Sequence, residues 1–376
     1  LKIAINTRLL LKNRLEGIGW FTYETLKKIT KEHPEHQFYF IFDRKYDEEF
    51  IFSSNIEPVV VGPQARHPVL FHIWFEYALP YIFRKIKPDL FLSPDGYLSL
   101  STTVKSVNVI HDLNFEHYPG DIPALARWHY RHFFPRYAKK ADRIATVSEF
   151  SKQDIVSRYQ IDPQKIDVVY NGANDHYEPL SQESKQRTKE KISAGTPYFI
   201  FIGALHPRKN LTNLFKSFDR FRKVYQSDIK LVIVGAKKWW TEEIRNTYEK
   251  MEFREEVIFT GRLSADELKN ALGSALALTY ISYFEGFGIP IVEAFYCETP
   301  VITSNVTSMP EVAGDAAAIV DPFSVEEICQ AMIKIASDEK FRNRLIQKGK
   351  ERKKIFTWQK SADKLWETIE KAMAHE

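Results

Sequence analysis

The sequence predicts an α/β protein built as two helix-covered parallel sheets. Three observations carry this. Short apolar runs recur along the first 172 residues, at Ile3–Ile5, Phe38–Phe42, Pro58–Val61, Leu90–Leu92, Val107–Ile110, Arg143–Val147 and Ile166–Val169, with helical stretches between most of them. Such alternation builds a parallel sheet with helices on its faces. A second series of the same kind follows a polar stretch: Tyr198–Ile202, Lys230–Val234, Val257–Thr260, Ala275–Tyr280 and Val301–Thr303. The length, 376 residues, points to two or three domains of ordinary size.

Bulk composition narrows the function classes. A net charge of +4 does not imply a nucleic-acid partner. The two cysteines, Cys297 and Cys329, have no metal-type spacing, which suits a reducing compartment and excludes a disulfide framework. The chain opens on Leu1-Lys2-Ile3-Ala4-Ile5-Asn6, a strand rather than a signal peptide. No apolar run approaches the ~18 residues of a spanning helix. The expectation is a cytoplasmic protein.

After the first strand, Gly17-Ile18-Gly19 precedes a helical stretch to Ile29. A strand, a glycine loop and a helix form a nucleotide-type unit, although an ordinary βα turn reads the same way. In parallel sheets, ligands sit outside the carboxyl ends of the strands. His111-Asp112 and Ser148-Glu149 stand at such ends. Ser148 reads as the N-cap of a helix Phe150–Tyr159, with Ser151 as the alternative. His111 is a candidate ligand-facing side chain. Residues 127–140 interleave basic and aromatic residues on a helix that Pro135 is expected to interrupt. That pattern fits a membrane-surface patch or an amphipathic helix with solvated arginines and core rings, and the second reading is favoured.

Residues 173–196 are polar and read as a connection. The next segment is Gly203-Ala204-Leu205-His206-Pro207-Arg208-Lys209-Asn210. Two cations at a helix start oppose the helix dipole, so an anionic partner accounts for them better than solvent. A diphosphate suits both, the guanidinium bidentately and the ammonium as a point charge. Trp239 and Trp240 read as packing residues. The stretch 281–300 is the richest. Its strand leads to Glu285, then Gly286 and Gly288, then Pro290 as the first helical residue. That places the backbone N–H groups of Phe287, Gly288 and Ile289 at a positive helix end, a phosphate cradle. Glu293 is expected within the first helical turn. Carboxylates disfavour phosphate and accept hydrogen bonds from hydroxyls, so Glu285 and Glu293 address polyols. Phosphates between two polyols describe a nucleotide sugar. Residues 325–355 read as helical, and a last helix runs from Trp358 to about residue 374.

The paired glutamates, separated by seven residues in Glu285-Gly286-Phe287-Gly288-Ile289-Pro290-Ile291-Val292-Glu293-Ala294, resemble the signature of the retaining glycosyltransferases of family 4. The resemblance extends to Pro207-Arg208-Lys209-Asn210, to His111-Asp112, and to the loops at Gly17 and Gly261-Arg262-Leu263. It implies a GT-B fold: an acceptor-side Rossmann-like domain at 1–172, a connection at 173–196, a donor domain at 197–357, and a helix at 358–376 returning to the first domain, with the site in the cleft. It places Glu285 and His111 by the donor sugar, Glu293 on the ribose, Arg208 and Lys209 on the diphosphate, Arg262 near the base, and Gly17 and Gly19 facing the donor. Ala204 departs from relatives that carry arginine there. The implied reaction is sugar transfer from a nucleotide diphosphate sugar to a glycan or lipid-linked acceptor hydroxyl, with retention, no cofactor and no metal. The donor leans to GDP-mannose, as in mannosyltransferases of polysaccharide biosynthesis. Peripheral contact with the inner face of the membrane is left open, as is the oligomeric state. The alternatives are a GT-B nucleotide-sugar epimerase, a non-catalytic nucleotide-sugar-binding subunit, and a pyridoxal-phosphate phosphorylase of the same fold class.

Overall fold

The computed structural model describes residues 1–174, 176–236 and 240–374. The chain divides into two compact units, Leu1–Gly172 with the stretch from Thr357 onward, and Ala173–Phe356.

The first unit holds β1 (Lys2–Asn6), β2 (Gln37–Phe42), β3 (Ile56–Val60), β4 (Leu90–Ser93), β5 (Lys105–Val109), β6 (Arg143–Thr146) and β7 (Ile166–Val168). They form a seven-stranded sheet in the order β3-β2-β1-β4-β5-β6-β7. All pairs are parallel. β4 and β6 are buried at every position, so both faces are covered. The strand order reverses between β1 and β4, and a ligand crevice forms outside the carboxyl ends at such a point.

The helix Trp358–Ala374 completes this unit by packing on the helix Gly17–Glu32 and on β4–β7. Lys371 Nζ lies 2.6 Å from Asp167 Oδ1, and Arg143 Nη2 lies 2.5 Å from Asp167 Oδ2. Burial pushes the Asp167 carboxyl up, and the bonds from Lys371 and Arg143 outweigh it and hold the group below its ordinary range. Where the returning chain passes Gly172, a Cβ on that glycine would stand 2.4 Å from the Trp358 backbone nitrogen. Only glycine fits so close an approach.

The second unit holds β8 (Tyr198–Ile202), β9 (Lys230–Val234), β10 (Val257–Gly261), β11 (Ala277–Tyr280), β12 (Val301–Ser304) and β13 (Ala318–Val320). Their order is β10-β9-β8-β11-β12-β13, again parallel throughout. The reversal falls between β8 and β11. The helix Leu211–Tyr225 buries Leu211, Leu214, Phe215, Phe218 and Phe221, spaced three and four apart, against Phe199, Phe201, Leu231 and Ile233.

Several expectations are corrected. Gly17 and Gly19 are not a loop before a helix but lie in the first turn of the helix Gly17–Glu32. Pro135 does not interrupt the helix Ala124–Lys140. Its ring removes the N–H partner of the Arg131 carbonyl, and Arg131 is exposed, where water can serve that oxygen. The stretch 173–196 carries a helix, Gln182–Ser193, packed on the helix Ala265–Ser274 of the second unit. It buries only Ser193, so its sequence lacks an apolar stripe. β13, a three-residue strand exposed at its middle position, was not anticipated. Trp240 packs on Phe215 and Phe259, while Trp239 lies outside the described residues. Among the described residues no helix is long and apolar enough to cross a membrane.

Candidate active site

The site grows from the reversal between β8 and β11. After β8 the chain leaves Gly203 and makes a single 3₁₀ turn, Pro207–Lys209, whose start is capped by His206 Nδ1 accepting from Arg208 N at 3.3 Å. Asn210 follows in the left-handed region, with φ 60°. Its amide donates to Ile281 O at 3.1 Å and Pro322 O at 2.6 Å. Tyr283 N donates to Arg208 O at 3.0 Å. These bonds clamp the Pro-Arg-Lys-Asn turn onto the segment leaving β11.

The clamp brings three charged side chains together. Lys209 Nζ lies 2.6 Å from Glu285 Oε1 and 2.7 Å from the Tyr280 hydroxyl, over whose ring it also sits. Arg208 Nη1 lies 2.6 Å from Glu285 Oε2 and 3.1 Å from Phe284 O. Lys209, Glu285 and Tyr280 are buried, while Arg208 is partly exposed. Burial pushes the Glu285 carboxyl up, but the charges of Arg208 and Lys209 outweigh it and hold the group at about 2. Glu285 is therefore ionised across the working range. Glu285 itself stands as an anion beside Arg208 and Lys209. Two cations thus face the Glu285 carboxylate.

The loop after Glu285 is held from a second side. Ser308 Oγ donates to Glu285 O at 3.0 Å and Phe287 O at 2.9 Å, and Glu285 N donates to Thr307 Oγ1 at 3.3 Å. Sequence reasoning missed Tyr280, Thr307 and Ser308. The signal for Ser308 was a serine ahead of a Pro-bearing helix, Met309–Ala313. Gly288 takes φ 104° and caps the helix Ile289–Tyr296, which begins one residue earlier than Pro290. Phe287, Gly288 and Ile289 thus stand at a helix start, as the cradle requires.

Glu293 is the fifth residue of that helix, beyond its first turn, a second correction. The structure does not bring it to Glu285's cations. Burial pushes its carboxyl up to about 7, against a hydrogen bond from Tyr177 that lowers it. Cys297, one turn on, is pushed up to about 12 by burial and by Glu293. The two glutamates of the motif are therefore electrostatically distinct: one is always ionised, and the other titrates near neutrality. Arg262 and Ala204 are exposed just past β10 and β8, on the same carboxyl edge.

In the first unit, His111 stands past β5 with Nε2 2.8 Å from Pro94 O. A carbonyl only accepts, so Nε2 carries the proton. Burial pushes this imidazole's pKa down. Its ring meets Phe21 edge-on at 5.1 Å, which ties it to the helix bearing Gly17 and Gly19. A Cβ on Gly19 would sit 3.2 Å from Leu9 O, whereas Gly17 faces open space. The reversal point of this sheet also holds a pair that sequence reasoning overlooked. Arg8 Nε lies 2.6 Å from Asp95 Oδ2, with the guanidinium 4.8 Å from the ring centres of both Phe71 and Tyr97. Among the described residues one His/Glu group, His33, Glu35 and His36, is close enough to share a metal ion, and it precedes β2 at the amino-terminal edge of the first sheet.

Comparison with known proteins extends this reading along most of the chain. Residues 16–177 match the family model described as Glycosyltransferase Family 4, and residues 182–352 match that of Glycosyl transferases group 1. O-antigen chain mannosyltransferase B of Escherichia coli is 26% identical over 360 residues, 93% of this chain and 94% of that protein. O-antigen chain mannosyltransferase RfbU of Salmonella typhimurium is 31% identical over 213 residues, 57% of this chain and 56% of its own. Sucrose-phosphate synthase from Thermosynechococcus elongatus superposes with a TM-score of 0.79 at 17% identity, over 100% of both chains, a likeness of fold. With two reversed-order parallel sheets, a cation-rich carboxyl edge and the two family models lying end to end, the chain belongs to the GT-B glycosyltransferases of family 4.

Proposed function

We propose that the chain transfers mannose from GDP-mannose to a hydroxyl of a glycan or lipid-linked acceptor, with retention and without a metal, in cytoplasmic assembly of a polysaccharide of the O-antigen kind. One observation carries the chemistry: Arg208 and Lys209 converge on Glu285 at the β8/β11 reversal, beside a helix start. The choice of mannose rests on a relative named as an O-antigen mannosyltransferase that aligns over 93% of the chain. The buried free thiols Cys297 and Cys329 suit the reducing compartment.

In this reading the diphosphate docks on Arg208, Lys209 and the N–H groups of Phe287, Gly288 and Ile289. These preorganised donors meet the charge that grows on the leaving phosphate, the role a metal plays elsewhere. The phosphate oxygens compete with Glu285 for the two cations, and the carboxylate is then available to the sugar, where positive charge develops. Glu293 takes the ribose hydroxyls. The test is a melting-curve panel of nucleotide sugars followed by transfer assays with a chelator present. GDP-mannose is expected to give the largest rise in melting temperature, and transfer is expected to survive chelation. A larger rise with a uridine sugar would reject the donor, and activity restored only by added magnesium or manganese would reject metal independence.

A further inference from the structure

Large apolar side chains stand exposed on one side of the first unit. The helix Pro68–Ile73 runs through a π turn, Trp74–Ala78, into the helix Leu79–Ile86. Along it Val69, Ile73, Tyr77 and Tyr81 are 58, 38, 65 and 50% exposed. They are four residues apart and so share one face. Trp74, Phe75 and Leu79 face the core. The neighbouring helix Ala124–Lys140 adds Leu125 and Trp128, 49 and 57% exposed. Phe133 joins the two helices, its ring centre 6.0 Å from that of His72 and 6.1 Å from that of Trp128. The rings of Phe134 and Tyr137 are core, as the amphipathic reading of 127–140 expects, but Trp128 is not.

Charge selects the occupant. Arg84, Lys85 and Arg136 are exposed on these same elements, and Arg66 is exposed just ahead of the first of them. Residues 122–140 contain no acid, and residues 66–86 contain one, Glu76. Its carboxylate accepts from Leu100 N at 2.8 Å and Ser101 N at 3.0 Å, so it is spent on the segment between β4 and β5. Tyrosine and tryptophan among cations, with the one acid of these segments already bonded, match the headgroup layer of an anionic bilayer, where a ring has one apolar and one wet side. We propose that this face seats the protein on an anionic lipid surface, with Tyr77, Tyr81 and Trp128 at headgroup depth and the four cations on lipid phosphates. The inference stands apart from the donor assignment and would place the enzyme where a lipid-linked acceptor is presented.

Sedimentation with vesicles tests it, using the full chain and phosphatidylcholine vesicles with or without phosphatidylglycerol. Binding is expected only with the anionic lipid and is expected to weaken sharply in high salt. Each cation near such a surface contributes about fivefold. The double variant Arg84→Ser with Lys85→Ser should therefore weaken binding by about tenfold or more. Tyr77→Ser with Trp128→Ser should do so comparably by removing apolar area. All four positions are exposed, so melting temperatures should stay at the parent value. Absent or lipid-independent binding, or binding unchanged in both variants, would overturn the proposal. Gel filtration showing a dimer that these variants dissociate, with no vesicle binding, would assign the face to a second copy and overturn it equally.

Discussion

Glu285 holds two cations at once, so its removal acts in two directions. The Glu285→Gln variant leaves Arg208 and Lys209 without their counter-charge. Breaking a buried pair costs about 3–5 kcal/mol, so denaturant melts should show a loss of that order. Yet the same change releases both cations to a phosphate, so GDP is expected to bind at least as tightly while kcat falls strongly. Calorimetry showing weaker GDP binding would remove Glu285 from the role of internal competitor. Glu293 gives a pH signature instead. Its pKa of about 7 lies above the ordinary carboxylate value, so the fold prefers the protonated form. Stability from this group is full below the unfolded pKa and declines as pH rises through about 7. A ribose hydroxyl donates best to the ionised form, so GDP affinity should fall by up to about tenfold per pH unit below that point. Tyr177→Phe removes a bond that lowers this pKa and should shift the limb to higher pH, and Glu293→Gln should flatten it. A flat profile in the parent protein would refute the ribose assignment. These residues were legible because motif spacing is local. Their pairing was not: Glu285 lies 77 and 76 positions from Arg208 and Lys209, and only the sheet order closes that distance.

At the scale of elements, the strands were legible and the irregular pieces were not, for one physical reason. A parallel strand covered on both faces is mostly apolar, β8 is apolar throughout, and such runs stand out in a sequence. β13 is short and half exposed, and the helix Gln182–Ser193 buries almost nothing, so neither leaves an apolar pattern. The site's loops depend on contacts no periodicity announces. Gly235, just past β9, has φ 152°, and a Cβ there would fall 1.9 Å from Gly203 O. That carbonyl belongs to the loop leading to Arg208 and Lys209. Gly235→Ala should therefore cost at least about 2 kcal/mol and weaken GDP binding by displacing the Arg208–Lys209 turn. Denaturant unfolding and calorimetry read the two effects. Parent values in both would show that the β8 and β9 loops move independently.

In the whole molecule, the second unit is one continuous stretch while the first is assembled from both ends of the sequence. Gly172 is the point where the returning chain meets the first sheet, its Cα against the Trp358 backbone. This fixes an order of events on the ribosome. At about 5–20 residues per second, the second unit occupies roughly 10–40 s of synthesis. Throughout that interval Asp167 lacks Lys371, and β4–β7 lack the helix Trp358–Ala374 that packs on them. Nascent chains halted at Phe356 should then be cut by protease within residues 1–172 and resist within 173–356. Equal protection of both stretches would contradict this. The half of the enzyme translated second would be the first to become native, and the half translated first would wait, needing shelter from aggregation, for the last helix to emerge.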